Sequence, residues 1–380
     1  MPIETMTSRE RITKTIRGEK VDRVPIDLGV HFSTGISGFA YYNLRKYLGL
    51  STDNITMIDM VQLLANVDAD IRELFHVDTI LLNPIWENTK KWNPRGNYTF
   101  NIPNTCTPVL QKDGAWTVDF NDSHLVMPHE GYFFDGAWPD YYNMEPDHKI
   151  LQFAKRAEKI FKESDYFTMM MGFSGYFHGI DFACDMITDP EACLELNERL
   201  LTKEIEHFNK INKAMGKYIG AIEVNSDLGT QSAAQCRPTD YSELCAPFLK
   251  KFCDHVHNTS DIKVFMHSCG AISQVLPAII DSGIDMINPV QISANNMNPQ
   301  YLKDTFGDKI TFWGGGCDTQ NVLANVTPKE IDHHVKSLMD TFKPNGKFIF
   351  NQVHNIMGNV PPENIVAMFK AAYENSFYVE

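Results

Sequence analysis

The sequence predicts an α/β protein, a (β/α)8 TIM barrel, on the basis of three observations. From about residue 150 onward, short apolar runs alternate with longer amphipathic stretches. The links between them are short, as in a parallel sheet whose strands are joined by helices. Eight candidate strands can be counted, the number that closes such a barrel. A doubly wound open sheet is the alternative, although no GxGxxG motif follows a strand, which counts against a dinucleotide-binding fold.

The candidate strands share short runs of β-branched and aromatic residues, and they comprise residues 24–28, 77–82, 166–171, 218–224, 263–267, 284–288, 310–313 and 348–351. Helix signals lie between them. Thr188, Asp189 and Pro190 predict the start of a long helix. Thr and Asp are common N-cap residues, and proline is favoured in the first helical turn. Further helices are predicted over residues 9–17 as an N-terminal lead-in, and over 241–258, 331–342 and the segment after Pro362.

Two stretches depart from this alternation. Residues 29–42 are rich in Gly, Ser and aromatic residues and predict a loop. Residues 86–142 are rich in Asn, Pro, Gly, Asp and aromatics, with short β-like pieces, and they predict a β-hairpin insertion over one mouth of the barrel. The whole chain, residues 1–380, is therefore interpreted as one barrel domain that contains this β-rich insertion.

Composition narrows the class of protein. The net charge of −14 disfavours nucleic acid or an anionic membrane as a partner. No apolar run approaches the length of a membrane span, and no secretory signal is visible at the N-terminus. The eight cysteines are unevenly spaced and do not resemble a secreted disulfide framework. We expect a cytoplasmic protein with reduced thiols.

The main indication of chemistry in the sequence is a set of three potential metal ligands, His267, Cys269 and Cys317, in two separate segments. His267 and Cys269 are two residues apart at the end of an apolar run, so a strand would place both side chains on one face. Cys317 follows a later apolar run, within Gly314–Asp318. One imidazole and two thiolates hold zinc and leave its fourth position open, which is the arrangement of a catalytic rather than a structural zinc site.

Other polar side chains also follow predicted strands, where barrel enzymes carry their functional groups. Glu223 is predicted as a fourth zinc ligand or an acceptor behind the ligands, with an ordinary carboxylate as the alternative. Asp227 would act in catalysis or orient substrate, with capping of its loop as the alternative. His354 is predicted as an acid–base or orienting group, or else as a structural histidine. The remaining candidates are Asn351 and three residues assigned to cofactor binding, Gln231, Asn288 and Gln291.

Aromatic residues in the loop 29–42 and in residues 131–138 could line an apolar pocket. Ordinary packing of the insertion on the barrel explains them equally well.

Motifs along almost the whole chain resemble the uroporphyrinogen decarboxylase (URO-D) superfamily, in its methyltransferase branch. The motifs are Arg9-Glu10-Arg11, Asp22-Arg23-Val24-Pro25, Asp227-Leu228-Gly229-Thr230-Gln231, His267-Ser268-Cys269-Gly270, Asn288-Pro289-Val290-Gln291, Gly314-Gly315-Gly316-Cys317-Asp318 and Val360-Pro361-Pro362-Glu363-Asn364. Members of this branch are (β/α)8 barrels, and in the thiol-methylating members an HxC…C pattern binds catalytic zinc. The resemblance implies that His267, Cys269 and Cys317 are zinc ligands.

The resemblance also implies an enzyme: a zinc-dependent methyltransferase that moves a methyl group between a methylated substrate and the cobalt of a corrinoid (cobalamin). The substrate would be a methoxylated compound, as in O-demethylation, or a thiol such as coenzyme M. Both directions of transfer remain open. The DxHxxG-type pattern of corrinoid-binding domains is missing, so the corrinoid would be carried by a separate partner protein.

Two other functions compete with this one. The first is the decarboxylase reaction on a tetrapyrrole, which needs arginines to hold many carboxylates. The arginine-rich motif of the decarboxylase is absent, residues 31–36 stand in its place, and only Arg45 follows nearby. The second is a non-catalytic binding protein in which zinc braces two loops.

Overall fold

The structure is a computed structural model that describes residues 3–84, 86–120, 123–136 and 146–378. Its helices are α1 (Ser8–Arg17), α2 (Gly38–Tyr47), α3 (Ala69–Leu74), α4 (Asp147–Glu163), α5 (Ile180–Thr188), α6 (Pro190–Met215), α7 (Pro238–Leu244), α8 (Ala246–Thr259), α9 (Leu276–Asp281), α10 (Pro299–Phe306), α11 (Pro328–Phe342) and α12 (Pro362–Ser376). Its strands are β1 (Ile55–Asp59), β2 (Leu64–Ala65), β3 (Thr89–Trp92), β4 (Phe100–Pro103), β5 (Val109–Leu110), β6 (Trp116–Phe120), β7 (Ser123–Met127), β8 (Asp135–Gly136), β9 (Met169–Ser174), β10 (Ala221–Asn225), β11 (Lys263–His267), β12 (Met286–Asn288), β13 (Thr311–Trp313) and β14 (Phe348–Ile349).

The main sheet has six parallel strands in the order β14-β13-β12-β11-β10-β9. Helices connect successive strands, as expected where parallel neighbours must be joined by crossovers. This confirms the predicted α/β fold. The bounds of β11 agree with the predicted strand 263–267, whereas each of the other five strands differs from its predicted bounds by one to three residues at one end or at both.

Two predicted strands, 24–28 and 77–82, form no regular strand but complete the ring between β14 and β9. Ile26 makes a parallel bridge to Phe350, and Thr79 makes one to Phe167. The backbone N–H of Asp78 donates to the carbonyl of Ile26 at 2.7 Å. These contacts link the edges of the six-stranded sheet through two extended segments, as in a (β/α)8 barrel.

The inside of this ring is filled at the amino ends of the strands. A compact apolar cluster there takes residues from the six strands and the segment before β9, two side chains from α1, and Val30 from the loop before α2: Ile12, Ile16, Val30, Phe167, Met169, Ala221, Phe265, Met286, Trp313 and Ile349. All of them are buried. Helix α1 covers this end of the barrel, and the polar side chains that follow the strands lie at the opposite, carboxyl end.

The region of the predicted insertion contains β3 to β8. The pairs β3/β4 and β6/β7 are antiparallel hairpins, and β4 also pairs in parallel with β1 of the preceding segment. Residues 121–122 and 137–142 of the predicted insertion lie outside the described residues. The assignment of 1–380 to one domain stays a prediction.

Two local predictions were wrong. The loop predicted at 29–42 ends early, because α2 begins at Gly38. The helix predicted over 241–258 is two helices, interrupted at Cys245, whose ψ of −53° is combined with a φ of −120°. Pro247 explains the break, since proline has no N–H to continue a helix and clashes with the preceding turn. Among the described residues, no helix combines the length and apolar character needed to cross a membrane.

Candidate metal centre

One cluster of potential metal donors lies at the carboxyl ends of the barrel strands. Among the described residues, the side-chain donor atoms of His267, Cys269 and His354 lie within 4.8 Å of one another. The Sγ of Cys269 is 3.3 Å from Nε2 of His267, and the rings of His267 and His354 are 5.9 Å apart between centroids. His267 is buried, whereas Cys269 and His354 are partly exposed. The cluster therefore lies at the edge of the solvent-accessible mouth.

Strand register explains why His267 points inward. In the parallel pairing of β10 and β11, Glu223 faces Phe265 and Asn225 faces His267. Phe265 belongs to the apolar cluster inside the barrel, and side chains alternate along a strand. His267, two residues after Phe265, is consequently directed into the barrel as the strand alternation predicted.

Asn288 sets the orientation of the His267 ring. Its Nδ2 donates to the carbonyl of Trp313 at 2.9 Å, which turns its Oδ1 towards His267. That oxygen is 2.8 Å from Nδ1 of His267, so Nδ1 carries the proton and donates. The lone pair of the neutral ring is then on Nε2, the atom nearest Cys269. Metal-binding histidines are commonly held by such a hydrogen bond on the second nitrogen.

The loop that carries Cys269 is fixed by its neighbours. Oδ1 of Asp227 accepts from the backbone N–H of Cys269 at 2.9 Å, and the same oxygen is 3.6 Å from Nε2 of His267. Gly229 and Gly270 pack backbone against backbone, because a Cβ at Gly270 would lie 2.3 Å from the carbonyl carbon of Gly229. Side chains larger than hydrogen do not fit between these two loops.

Gln231 and Gln291, predicted to bind a cofactor, form a bridge above this loop. Nε2 of Gln291 donates to Oε1 of Gln231 at 2.9 Å. Oε1 of Gln291 accepts from the backbone N–H of Gly270, and Gln231 donates to the carbonyl of Ser293. The two side chains thus tie together the loops that follow β10, β11 and β12. Their assignment to cofactor binding stays a prediction.

Cys317, the third predicted ligand, does not belong to the cluster. It is fully buried among apolar side chains, and its Sγ lies 3.9 Å from the carbonyl oxygen of Asp318. Its own carbonyl accepts from the backbone N–H of Val353 at 2.8 Å. Cys317 therefore adjoins the segment that carries His354, and its role as a ligand stays a prediction. Asn351 is also buried, and it donates to the carbonyls of Asp27 and Thr34 rather than to the cluster.

His31 was not predicted as a site residue, but it lies beside the cluster. Its ring is 5.4 Å from that of His267 between centroids, and its Nε2 is 3.3 Å from Oε1 of Glu223. The Oγ of Ser33 connects the two sides, at 2.7 Å from Nδ1 of His31 and 2.6 Å from Oδ1 of Asn288. Two sequence signals could have indicated this position: His31 follows the predicted strand 24–28, and residues 31–36 stand in the place of the arginine-rich motif of the decarboxylase.

Burial controls the protonation of the cluster. It lowers the pKa of His267 below its usual range and that of His354 to about 3, so that both rings are neutral at neutral pH. Burial also raises the pKa of the Cys269 thiol well above its usual value. Neutral imidazoles are available as ligands, whereas this thiol ionises only beside a cation. A nitrogen and sulfur donor set of this kind fits zinc.

Comparison with known proteins places the chain in a family. Residues 166–375, more than half of the chain, match the family described as uroporphyrinogen decarboxylase (URO-D). The chain belongs to the uroporphyrinogen decarboxylase family. Within the matched part of this URO-D protein lie all the residues predicted for the site, from Glu223 to His354.

Two individual proteins illustrate the relationship. A uroporphyrinogen decarboxylase of Geobacter sp. (strain M21) is 26% identical over 192 residues, which are 50% of this chain and 51% of that protein. The chain thus matches about half the length of this curated relative. A solved structure, a methyltransferase from Methanosarcina mazei, superposes with a TM-score of 0.58 at 16% identity and covers 97% of this chain and 99% of its own. That likeness supports the fold predicted for this URO-D family member.

Proposed function

We propose that this protein is a zinc-dependent methyltransferase that moves a methyl group between a methylated substrate and the cobalt of a separate corrinoid protein. The observation that carries the proposal is the inward-facing pair His267 and Cys269, with the histidine tautomer set by Asn288. A metal ligand that is oriented before the metal binds suits a catalytic zinc site, which exchanges a bound substrate, better than a structural zinc site.

Zinc would be held by His267, Cys269 and Cys317, and when bound it makes a substrate thiol more acidic or polarises an ether oxygen. The chain's own contribution is alignment. Asp227 and Gln291 hold the backbone on either side of Cys269. Fixing the reacting groups in line removes much of the entropic cost of a transfer between two bound partners.

Membership of the URO-D family and the likeness in fold to the Methanosarcina mazei methyltransferase support this proposal. The corrinoid protein would dock at the carboxyl ends of the strands, where the cluster is partly exposed. The substrate is a methoxylated compound or a thiol.

Decarboxylation of a tetrapyrrole is the second candidate, favoured by the name of the Geobacter relative. Its substrate carries many carboxylates and needs free cations. Arg45, the arginine nearest the loop 29–42 in sequence, is engaged by Asp68 and Asp70 at 3.0 and 2.8 Å. The side chains at the mouth that approach His267 include Asp227, which would repel such a substrate.

The test combines two spectroscopic assays on zinc-loaded protein. One mixes the protein with a Co(I) corrinoid protein and a panel of methoxylated compounds, and the other mixes it with methylcobalamin and a panel of thiols. We expect conversion between Co(I) and methyl-Co(III) in one direction, and its loss in Cys269→Ala. Absence of conversion in every combination, together with release of CO2 from a porphyrinogen substrate, would replace the proposal with the decarboxylase function.

A further inference from the structure

A cavity of about 460 Å³ opens at the amino end of the barrel. Its walls come from α1, the last turn of α4, the segment before β9 and the loops that precede β10 and β11. Ile16 and Phe167 line it, and both belong to the apolar cluster that fills this end of the barrel. The cluster therefore separates the cavity from the candidate metal centre at the carboxyl ends of the strands. Pockets that hold small molecules have volumes of about 300–1,000 Å³.

The lining of this cavity is cationic, although the chain as a whole has a net charge of −14. Its charged side chains are four cations and one carboxylate: Arg9, Arg17, Lys217, Lys263 and Asp261. Among the described residues, Arg17 and Lys217 form no ion pair, whereas Lys263 lies 3.5 Å from the carboxylate of Asp285. A concave surface lined mainly by one sign of charge attracts an ion of the opposite sign. The ligand that suits this cavity is an anion.

Two of the cations lie along one aromatic wall. The guanidinium carbon of Arg9 is 4.2 Å from the centre of the Phe161 ring. That ring is 5.6 Å from the ring of Tyr218 between centroids, and Nζ of Lys217 is 4.7 Å from the centre of the Tyr218 ring. All four residues line the cavity. Flat apolar surface and positive charge are therefore presented side by side.

The exposure of the lining determines how such a ligand is oriented. Ile16, Phe167 and Ile219 are 5%, 1% and 6% exposed and form an apolar floor. Arg17 and Lys217 are exposed and lie at the rim. An apolar part of the ligand is favoured at the floor, where it leaves water, and the charged part is favoured at the rim.

We propose that this cavity binds a nucleoside monophosphate, with its base on the aromatic wall and the floor and its phosphate among the cations of the rim. Four positive charges against one negative charge leave an excess of three, which a phosphate dianion offsets better than a carboxylate does. Aromatic side chains hold a base by stacking on its face. Asn212 and Ser260 add an amide and a hydroxyl to the lining, beside which the ribose hydroxyls fit. The assignment is independent of the proposed methyl transfer, since it concerns the opposite end of the barrel.

Calorimetric titration of the purified protein with adenosine 5′-monophosphate (AMP), adenosine and inorganic phosphate tests the assignment. AMP should bind at least about tenfold more tightly than either adenosine or phosphate, because it alone combines stacking with a charge-assisted contact. Its affinity should also fall as sodium chloride is added, since the cations at the rim are exposed to screening.

The double variant Arg17→Gln/Lys217→Gln removes the two unpaired cations of the rim. We expect AMP to bind at least about tenfold more weakly to it, while adenosine binds as to the wild type. Arg199→Gln/Lys203→Gln is the matched control. It removes the same charge from exposed positions of α6 that do not line the cavity, and it should keep the wild-type affinity for AMP.

Phe161→Leu tests the contact with the base separately. Phe161 is 38% exposed, so the protein should fold with a leucine at this position. Loss of stacking predicts at least about fivefold weaker binding of both AMP and adenosine, with binding of inorganic phosphate unchanged.

Three results would overturn the inference. They are the absence of AMP binding at millimolar concentration, binding of inorganic phosphate as tight as that of AMP, and equal affinity for AMP in the Arg17/Lys217 variant and its control. None of them bears on the methyl-transfer assays of the proposed function, which can succeed or fail whatever binds at the amino end of the barrel.

Discussion

The Nδ1 of His267 lies 2.8 Å from the Oδ1 of Asn288, and the orientation of that amide is fixed by its second hydrogen bond, to the carbonyl of Trp313. The three residues come from the consecutive strands β11, β12 and β13. The direction of the His267 lone pair is therefore determined by the parallel sheet itself, before any metal is bound.

We predict that Asn288→Ala lowers zinc affinity by about 10- to 100-fold, the usual effect of losing the hydrogen bond that orients a metal-binding histidine. Competition with a chromophoric chelator measures the affinity. Asn364→Ala is the control, because Asn364 is equally buried and donates to the carbonyls of Leu323 and Val326. Equal zinc affinity in the two variants would show that Asn288 has no special role.

Much of the fold could be predicted because parallel barrel strands are apolar runs bounded by helices. The limits appear where local signals are weak. Residues 24–28 and 77–82 are predicted as strands, yet they form no regular strand, and each is joined to its neighbouring strand by an isolated β-bridge, at Ile26 and at Thr79. The helix α2 lies in a stretch whose glycines and serines favour a loop, and its Phe39, Ala40 and Tyr41 are buried by tertiary packing.

For the candidate site, sequence spacing located His267 and Cys269, since alternation along one strand is a local property. It could not locate His31, which reaches the site from a loop more than two hundred residues away along the chain, as its ring contact with His267 shows. It also could not show that Gln231 and Gln291 bond to each other. Contacts between loops depend on how the strands are ordered, not on spacing along the sequence.

The third zinc ligand can be identified by metal content. We predict that Cys317→Ala loses most of its zinc and that His354→Ala retains it. Two thiolates and one neutral imidazole neutralise Zn²⁺, whereas one thiolate and two imidazoles leave a buried positive charge, which is unfavourable. Zinc per chain after gel filtration, measured by elemental analysis, distinguishes the two. Zinc retained in Cys317→Ala and lost in His354→Ala would make His267, Cys269 and His354 the ligand set.

Close packing of the loops at the site predicts the effect of Gly270→Ala. The added Cβ would lie 2.3 Å from the carbonyl carbon of Gly229, and the φ of +87° disfavours any side chain. Gly346→Ala is matched, because its φ is +72° but its Cβ would meet nothing within 4 Å. We expect Gly270→Ala to lower the free energy of unfolding by about 1–3 kcal/mol more than Gly346→Ala, as overpacking does. Urea denaturation measures both, and similar losses would contradict the close approach of the two loops.

The buried carboxyl of Glu204 predicts a pH dependence of stability. Burial raises its pKa from the usual 4.5 to about 7. Because the folded state then holds the proton more tightly, the contribution to stability is complete below about pH 4.5 and is lost as the pH rises to about 7. The loss is at most about 3 kcal/mol, at 1.36 kcal/mol for each pKa unit.

The pH dependence can be tested by urea unfolding of the wild-type protein and Glu204→Gln. The measurements are made with chelator present, at several pH values between 4.5 and 8. The difference in unfolding free energy, wild type minus variant, should fall as the pH rises and become constant above about pH 7. Glu198→Gln changes an exposed residue of the same helix that pairs with Lys251, and it should follow the wild type. A constant difference for Glu204→Gln would show that this carboxyl does not titrate in the expected range.

Because Asp78 helps to close the ring of strands, we predict that Asp78→Ala greatly lowers the free energy of unfolding. Asp78 is fully buried and accepts from Arg11 Nη1 at 2.6 Å, from Arg23 Nη1 at 2.8 Å and from the backbone N–H of Ile26 at 2.8 Å. Its own backbone N–H bonds to Ile26, in the segment that joins β14 to the rest of the ring. Removing the carboxylate leaves two buried guanidinium groups without this partner.

Removal of one partner from a buried ion pair typically costs about 3–5 kcal/mol, and we expect a loss of this size in the free energy of unfolding, measured by urea denaturation. Asp254→Ala provides the comparison, because Asp254 is half exposed and pairs with Lys250 on the surface of α8, where a pair contributes about 0.2–1 kcal/mol. An equal loss of unfolding free energy in Asp78→Ala and Asp254→Ala would mean that other groups pair with the two arginines. The closure of the ring would then not depend on this carboxylate.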